Sequence, residues 1–329
     1  MSDNQQASAS GARVLFISPN RIGDSVIASG VVREINRQWP GARITVAAGG
    51  PPAPFFRAAP GVERIIVVNK GKWASHWFRL WAGVVKQPWD VVIDTRGSAL
   101  GWLIRAGTRR IYHRGWETGV PKVEVVSRLM QALHSLEPEH YIDGRARAEA
   151  AAVIDPQLAD GAGPGPIIAL APIAHQKGKS WPADRWGALV EKLKAESRFD
   201  GWRFMLVGGP GDHPPAAPAL SAAGDRGIDF VGKGDILASA AAISRSALFV
   251  GNDSGLMHVA AAAGTPTLGL FGPTEWWLYG PRGPKTRTVA SNNTRGQFAP
   301  IEDLTVEAVF AATLDLYDAY VAQPSDASA

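Results

Sequence analysis

Residues 250–258, Val-Gly-Asn-Asp-Ser-Gly-Leu-Met-His, have the types and spacing that seat a phosphate. An apolar run over 247–250 enters a small polar turn, a helical run follows at once, and Gly264-Thr-Pro266 ends it before a second apolar run. The backbone N–H groups of Ser254 and Gly255 then stand at a helix N-terminus, where unpaired donors and the positive dipole end favour an anion. Asp253 precedes that seat, and His258 lies four residues after Ser254 on the same helix face.

Two other places bring charge to the mouth of a sheet. Residues 13–18 read as a strand, 19–24 as its exit loop and 25–39 as a helix with Val26, Ile27, Val31, Val32 and Ile35 on one side, so Asp24 is delivered to a strand end. Residues 171–182 leave the apolar run 167–170 and carry Lys177 and Lys179 toward a helix beginning near Pro182. Each has an ordinary alternative. Asp24 sits where a helix N-cap is favoured, the lysines suit a solvated loop, and His258 suits a packed core. The functional reading makes Asp24 a base for a hydroxyl proton. It rests on all these groups converging at strand ends.

The elements that position these residues alternate. Strand-like runs at 13–18, 43–47, 64–68, 90–94 and 109–112 are followed by a second series at 167–170, 203–207, 229–231, 247–250 and 267–270, with helical or loop stretches between them. That rhythm predicts parallel sheets covered by helices on both faces. The Gly- and Pro-rich stretch 156–166 reads as a linker, giving domains 12–155 and 167–322 with tails at 1–11 and 323–329. Two doubly wound domains joined this way would face a shared cleft with their strand ends. A helical run over 303–320 closes the ordered chain.

Composition narrows the function classes. The 329 residues contain no cysteine, which excludes disulfides and thiolate metal sites. The N-terminus lacks the apolar segment of a signal peptide, and no apolar run reaches the roughly 20 residues of a membrane span. A cytoplasmic protein is expected. Residues 1–160 carry 20 Lys+Arg against 14 Asp+Glu, and residues 161–329 carry 14 against 16, so the first half is the basic one. Arg96, Arg105, Arg109, Arg110 and Arg114 would suit an anionic partner or a solvated face equally. No G-x-G-x-x-G follows the first strand, no P-loop occurs, and no Asp-x-Asp pair offers a metal clamp for a diphosphate. Gly208-Gly-Pro-Gly-Asp212 follows a strand, but a Gly-Pro turn explains it.

Residues 70–89 place Trp73, Trp77 and Trp81 at i, i+4 and i+8 among Lys and Arg. Such a stripe serves either core packing or an interfacial helix resting on anionic lipid. Nucleic acid is not an expected partner, because the charge excess is small and no strand carries a stacking pattern.

Three ordered motifs resemble glycosyltransferase family 9, the inverting family that includes bacterial lipopolysaccharide heptosyltransferases. They are Arg21-Ile-Gly-Asp24, Lys179-Ser-Trp-Pro182, and Asn252-Asp-Ser-Gly-Leu-Met-His258 with Gly264-Thr-Pro266 and Phe271-Gly-Pro-Thr274. The resemblance implies a GT-B type α/β fold of two Rossmann-like domains about a central cleft, with acceptor on the N-terminal domain and an ADP-sugar on the C-terminal one. It implies Asp24 as general base and Lys179 as a contact to the donor phosphates. Asp253, Ser254, Gly255 and His258 would form the nucleotide-sugar cradle, and Asp212 would help hold the nucleoside. Arg21, Arg96 and Arg114 are acceptor-binding candidates.

No cofactor or metal is expected. The implied reaction moves heptose from ADP-heptose to a hydroxyl of a lipopolysaccharide core or other anionic glycolipid, at the inner face of the inner membrane. A nucleotide-sugar epimerase or hydrolase of the same fold, and a non-catalytic nucleotide-binding scaffold, are the alternatives.

Overall fold

The computed structural model describes residues 11–116, 118–160 and 162–322, and the chain divides into two compact units, Met1–Glu137 and Pro138–Ala329. The expected tails, Gly11 apart, lie outside the described residues.

The first unit holds strands β1 (Arg13–Ile17), β2 (Arg43–Ala48), β3 (Val62–Val67), β4 (Trp89–Asp94) and β5 (Ala106–Ile111) in the order β3-β2-β1-β4-β5, every pair parallel. Val14, Leu15, Phe16 and Ile17 are fully buried, as an unbroken apolar run in a sheet covered on both faces requires. Strand order reverses between β1 and β4, which opens a crevice at their carboxyl ends. The helix expected over 25–39 is two helices, Ile22–Ile27 and Gly30–Gln38. Ser29 Oγ donates to Val26 O at 2.6 Å in the break. Gly30 passes so near the backbone at Leu136–Glu137 that a Cβ would stand 2.6 Å from Glu137 O.

The second unit holds β6 (Ile167–Ala171), β7 (Arg203–Gly208), β8 (Gly227–Val231), β9 (Leu248–Asn252), β10 (Thr267–Phe271) and β11 (Thr286–Ala290) in the order β11-β10-β9-β6-β7-β8, again all parallel. This is the doubly wound order, and its reversal lies between β6 and β9. Trp181, Trp186, Phe199, Phe204, Leu248 and Leu316 belong to its core. Strand β11 was not among the expected runs. Its sequence, Thr-Arg-Thr-Val-Ala, is the half-exposed pattern of a sheet edge.

The division falls at Glu137/Pro138, upstream of the 156–166 stretch expected to link the domains. Helix Gly144–Ala159, capped by the Asp143 carboxylate on Ala146 N at 2.7 Å, runs through Pro156. It belongs to the second unit, where the Gln157 side chain accepts from Asp229 N at 2.8 Å and donates to Asp229 O at 3.2 Å. The buried Arg203 guanidinium adds bonds to the carbonyls of Gln157, Gly163 and Arg226. Proline near the last turn removes one helical hydrogen bond, and tertiary packing outweighs that loss.

Candidate active site

In the second unit the loops leaving β6 and β9 meet at the reversal point. Asn252, fully buried at the end of β9, donates through Nδ2 to Pro172 O at 2.7 Å and accepts Trp181 N on Oδ1 at 3.1 Å, so one amide clamps both ends of the loop 172–181. Inside that loop Lys179 N donates to Gln176 O at 3.2 Å, a turn made possible by Gly178 at φ +78°. The turn leaves Lys177 exposed and points Lys179 inward. Lys179 Nζ donates to Asp253 Oδ2 at 2.6 Å, with the two side chains 12% and 6% exposed. Thr274 Oγ1 donates to the same oxygen at 2.7 Å, and the Tyr279 ring lies 5.9 Å from Nζ.

Ser254 occupies the N-cap of helix Gly255–Ala262 without capping it. Its Oγ is buried and hydrogen-bonded to nothing, while His258 is buried one turn on. The structure therefore brings Lys179 to Asp253, with Ser254, Gly255 and His258 following on the turn and helix that Asp253 leads into. Asn252, Thr274 and Tyr279 join them. Asn252 and Thr274 stood in the quoted motifs without a role, and Tyr279 had no local signal.

Asp212 closes its own turn. Its Oδ2 accepts Gly209 N at 2.7 Å and its Oδ1 lies 3.3 Å from His175 Nε2.

In the first unit, Asp24 stands in the first turn of helix Ile22–Ile27 and Arg21 holds the N-cap position, so the capping explanation for Asp24 does not apply. Asp24 lines a pocket of about 120 Å³ with Thr95, Tyr112, Lys122, Val125 and Leu129. Thr95 is fixed by two bonds to Ile17 O, from its N at 3.1 Å and its Oγ1 at 2.8 Å.

None of Arg21, Arg96 and Arg114 lines that pocket. Arg21 and Arg114 are exposed, and Arg109 donates to the carbonyls of Gly101, Ile104 and Ala106, which it bridges. Arg96 lines a second, larger cavity of about 640 Å³ with Trp77, Phe78, Trp81, Ser98, Ala99, Leu100 and Leu103. Asp94 sets this loop: its carboxylate accepts Arg96 N at 2.8 Å and Ser98 N at 2.9 Å. Burial pushes the Asp94 carboxyl up, against those bonds.

The tryptophan stripe is shorter than its spacing predicts. Trp77 and Trp81 lie on helix Ser75–Val84, but Trp73 sits in the preceding turn at φ 54° and is 99% exposed. Among the described residues no helix is long and apolar enough to cross a membrane.

Comparison with known proteins places the family and the fold. Residues 125–301 match the model of glycosyltransferase family 9 (heptosyltransferase). Lipooligosaccharide heptosyltransferase 2 of Haemophilus influenzae is 25% identical over 296 residues, 80% of this chain and 84% of that protein. A family 9 glycosyltransferase from Veillonella parvula superposes with a TM-score of 0.78 at 20% identity, covering 93% of this chain and 97% of that one. The Escherichia coli ADP-heptose lps heptosyltransferase II gives 0.73 at 19%, covering 92% and 98%. Two parallel α/β units, each with its polar cluster at the point of strand reversal, and a family match over more than half of its length make this chain a GT-B-type glycosyltransferase that belongs to glycosyltransferase family 9.

Proposed function

We propose that the protein is an inverting, metal-independent heptosyltransferase that moves heptose from ADP-heptose to a hydroxyl of a lipopolysaccharide core acceptor. The observation that carries this reading is the cluster of Lys179, Asp253 and Thr274 beside the start of helix Gly255–Ala262, where Ser254 Oγ is buried without a partner. A buried cation, a free hydroxyl and helix N-terminal N–H groups together suit a diphosphate. The Haemophilus and Escherichia coli relatives named above support the sugar and the acceptor class.

In the proposed reaction the Asp24 carboxylate takes the proton of the acceptor hydroxyl. The oxygen forms its bond to the anomeric carbon on the face opposite the diphosphate, and the carbon–oxygen bond to the β-phosphate breaks with its electron pair leaving on ADP. Direct displacement inverts the anomeric centre. Charge gathering on the departing diphosphate is met by Lys179 Nζ and by the N–H groups of Ser254 and Gly255, the type of preorganised field that contributes several kcal/mol in catalytic sites. His258 lines the same seat from one turn along. Asp212 acts on the nucleoside through the turn it closes. Arg21, Arg96 and Arg114 give the first unit a positive wall for an anionic glycolipid, and the enzyme works in the cytoplasm against the inner membrane.

Thermal unfolding with ADP, UDP and GDP, each with and without magnesium, tests the donor half. A ligand that binds only the folded protein raises its stability with concentration. A shift with ADP that ignores magnesium is expected. A shift with UDP or GDP alone would discard ADP-heptose, and hydrolysis or epimerisation of the sugar nucleotide without acceptor would discard transfer.

A further inference from the structure

The cavity of about 640 Å³ beside Arg96 has no part in the chemistry above, yet it is built. One wall is helix Ser75–Val84, which buries Leu80 and Val84 in the core of the first unit and turns Trp77, Phe78 and Trp81 to the cavity. The other is helix Leu100–Leu103, which contributes Leu100 and Leu103. Trp81 Nε1 donates to Leu103 O at 3.4 Å and ties the walls together. Phe78 is 68% and Leu103 64% exposed, so this apolar lining is open to the outside. Its volume falls within the range of about 300–1,000 Å³ for sites that enclose a small ligand.

The polar side of the cavity is defined by one cation. Arg96 stacks its guanidinium over Trp77 at 4.3 Å, which leaves the fork aligned but not neutralised. Its Nη1 atom is buried and makes no hydrogen bond. The chain segments forming the walls carry charge of one sign: residues 70–89 contain Lys70, Lys72, Arg79 and Lys86 with no Asp or Glu, and residues 95–116 contain five Arg with none. An apolar cavity of this volume, edged by a guanidinium whose Nη1 has no hydrogen-bond partner and which feels only the buried Asp94 as a nearby carboxylate, is complementary to an amphiphile with one negative group.

We propose that this groove binds one fatty-acyl chain of an anionic membrane lipid, with the lipid's charged group on Arg96. The protein is thereby held at a bilayer by a chain drawn into a cavity, and not only by aromatic rings resting on the surface. The proposal deepens the membrane and anionic-glycolipid part of the proposed function and rests on it. Thr95 lines the Asp24 pocket and Arg96 the groove, so a lipid held here stands one residue along the chain from the acceptor pocket.

The test uses the full chain with phosphatidylglycerol vesicles, phosphatidylcholine vesicles, and phosphatidylglycerol brominated in its acyl chains. Wild type is expected to sediment with the anionic vesicles and to lose tryptophan fluorescence to the brominated chains. Ala99→Phe, which fills the groove from an exposed position, should weaken vesicle binding about tenfold or more, the scale of a few buried methylenes. Trp73→Ala, outside the groove, should change it far less. Arg96→Gln should remove the preference for anionic over neutral lipid. An unchanged ADP-induced thermal shift in each variant shows that it is folded. Absence of vesicle binding by wild type, equal binding to neutral vesicles, or an Ala99→Phe variant that binds normally while Trp73→Ala does not, would each overturn the groove. Heptose transfer to a de-acylated acceptor in solution separates the two readings: turnover without vesicle binding retains the transferase and removes the groove, and vesicle binding without turnover does the reverse.

Discussion

Lys179 Nζ lies 2.6 Å from Asp253 Oδ2, with both side chains almost buried, so the cation proposed for the donor phosphate is held in place by a carboxylate. Asp253 itself is fixed by Asp253 N on Leu270 O at 3.0 Å and by the Thr274 hydroxyl on Oδ2. Removing Lys179 strands a buried negative charge. We expect Lys179→Ala to weaken ADP binding and to lower stability by about 3 kcal/mol, the scale of breaking a buried pair. The double variant Lys179→Ala/Asp253→Ala should recover part of that stability but none of the ADP affinity. Urea unfolding with ADP titration reads both, and an unchanged ADP affinity in Lys179→Ala would remove it from the donor site.

Asp24→Asn keeps the shape of the first-unit pocket and removes the proposed base. Turnover should fall by about 10²-fold or more, as for the loss of a general base, while the ADP-induced thermal shift stays the same. Near-wild-type turnover would take Asp24 out of the mechanism.

Asn252→Ala deletes both bonds that clamp the Lys179 loop and leaves Trp181 N and Pro172 O unpaired in the interior. A cost of about 2–3 kcal/mol follows from two buried unsatisfied groups. Donor affinity should fall as well, although Asn252 need not touch the donor. Calorimetric ADP titration alongside denaturant unfolding would show either effect missing.

Glu34 gives the fold a pH signature. Its buried carboxylate accepts Arg37 Nε at 2.8 Å, Arg37 Nη2 at 2.7 Å and Gln38 Nε2 at 2.6 Å, and the bond from Arg37 first of all holds its pKa below the ordinary value. With the folded pKa depressed, Glu34 stabilises the protein above the unfolded carboxylate range, and that contribution is lost as pH falls through the folded value. The gap in melting temperature between wild type and Glu34→Gln should be widest near neutrality and close in acid. A gap that does not change with pH would contradict this assignment.

Much of the fold could be read in advance because parallel strands buried on both faces are unbroken apolar runs, and β1, β6 and β9 each are. Strand β11 escaped because an edge strand alternates and carries Arg287. Asp24 and Lys179 could be singled out from their place after a strand, but the residues that surround them could not. Thr95, Tyr112 and Lys122 come to Asp24 from three elements about 70 to 100 residues along the chain, and only the strand order brings them together. Arg109, for which an anionic partner and a solvated face were equal expectations, donates to three backbone carbonyls, since a short helix end leaves acceptors that need donors. Trp73 fell outside the helix because the chain turns left-handed at Trp73 and Ala74, which an i, i+4 count does not register.

The loop after β4 has a consequence for how such an enzyme can change. Asp94, buried beneath it, fixes Arg96 and Ser98 while Ile17 O fixes Thr95 one residue away, and these residues face two different cavities. Neither cavity can be reshaped through this loop without disturbing the other. Divergence of the Asp24 pocket alone would have to proceed through the opposite wall, helix Lys122–Met130, which lines that pocket and not the cavity beside Arg96.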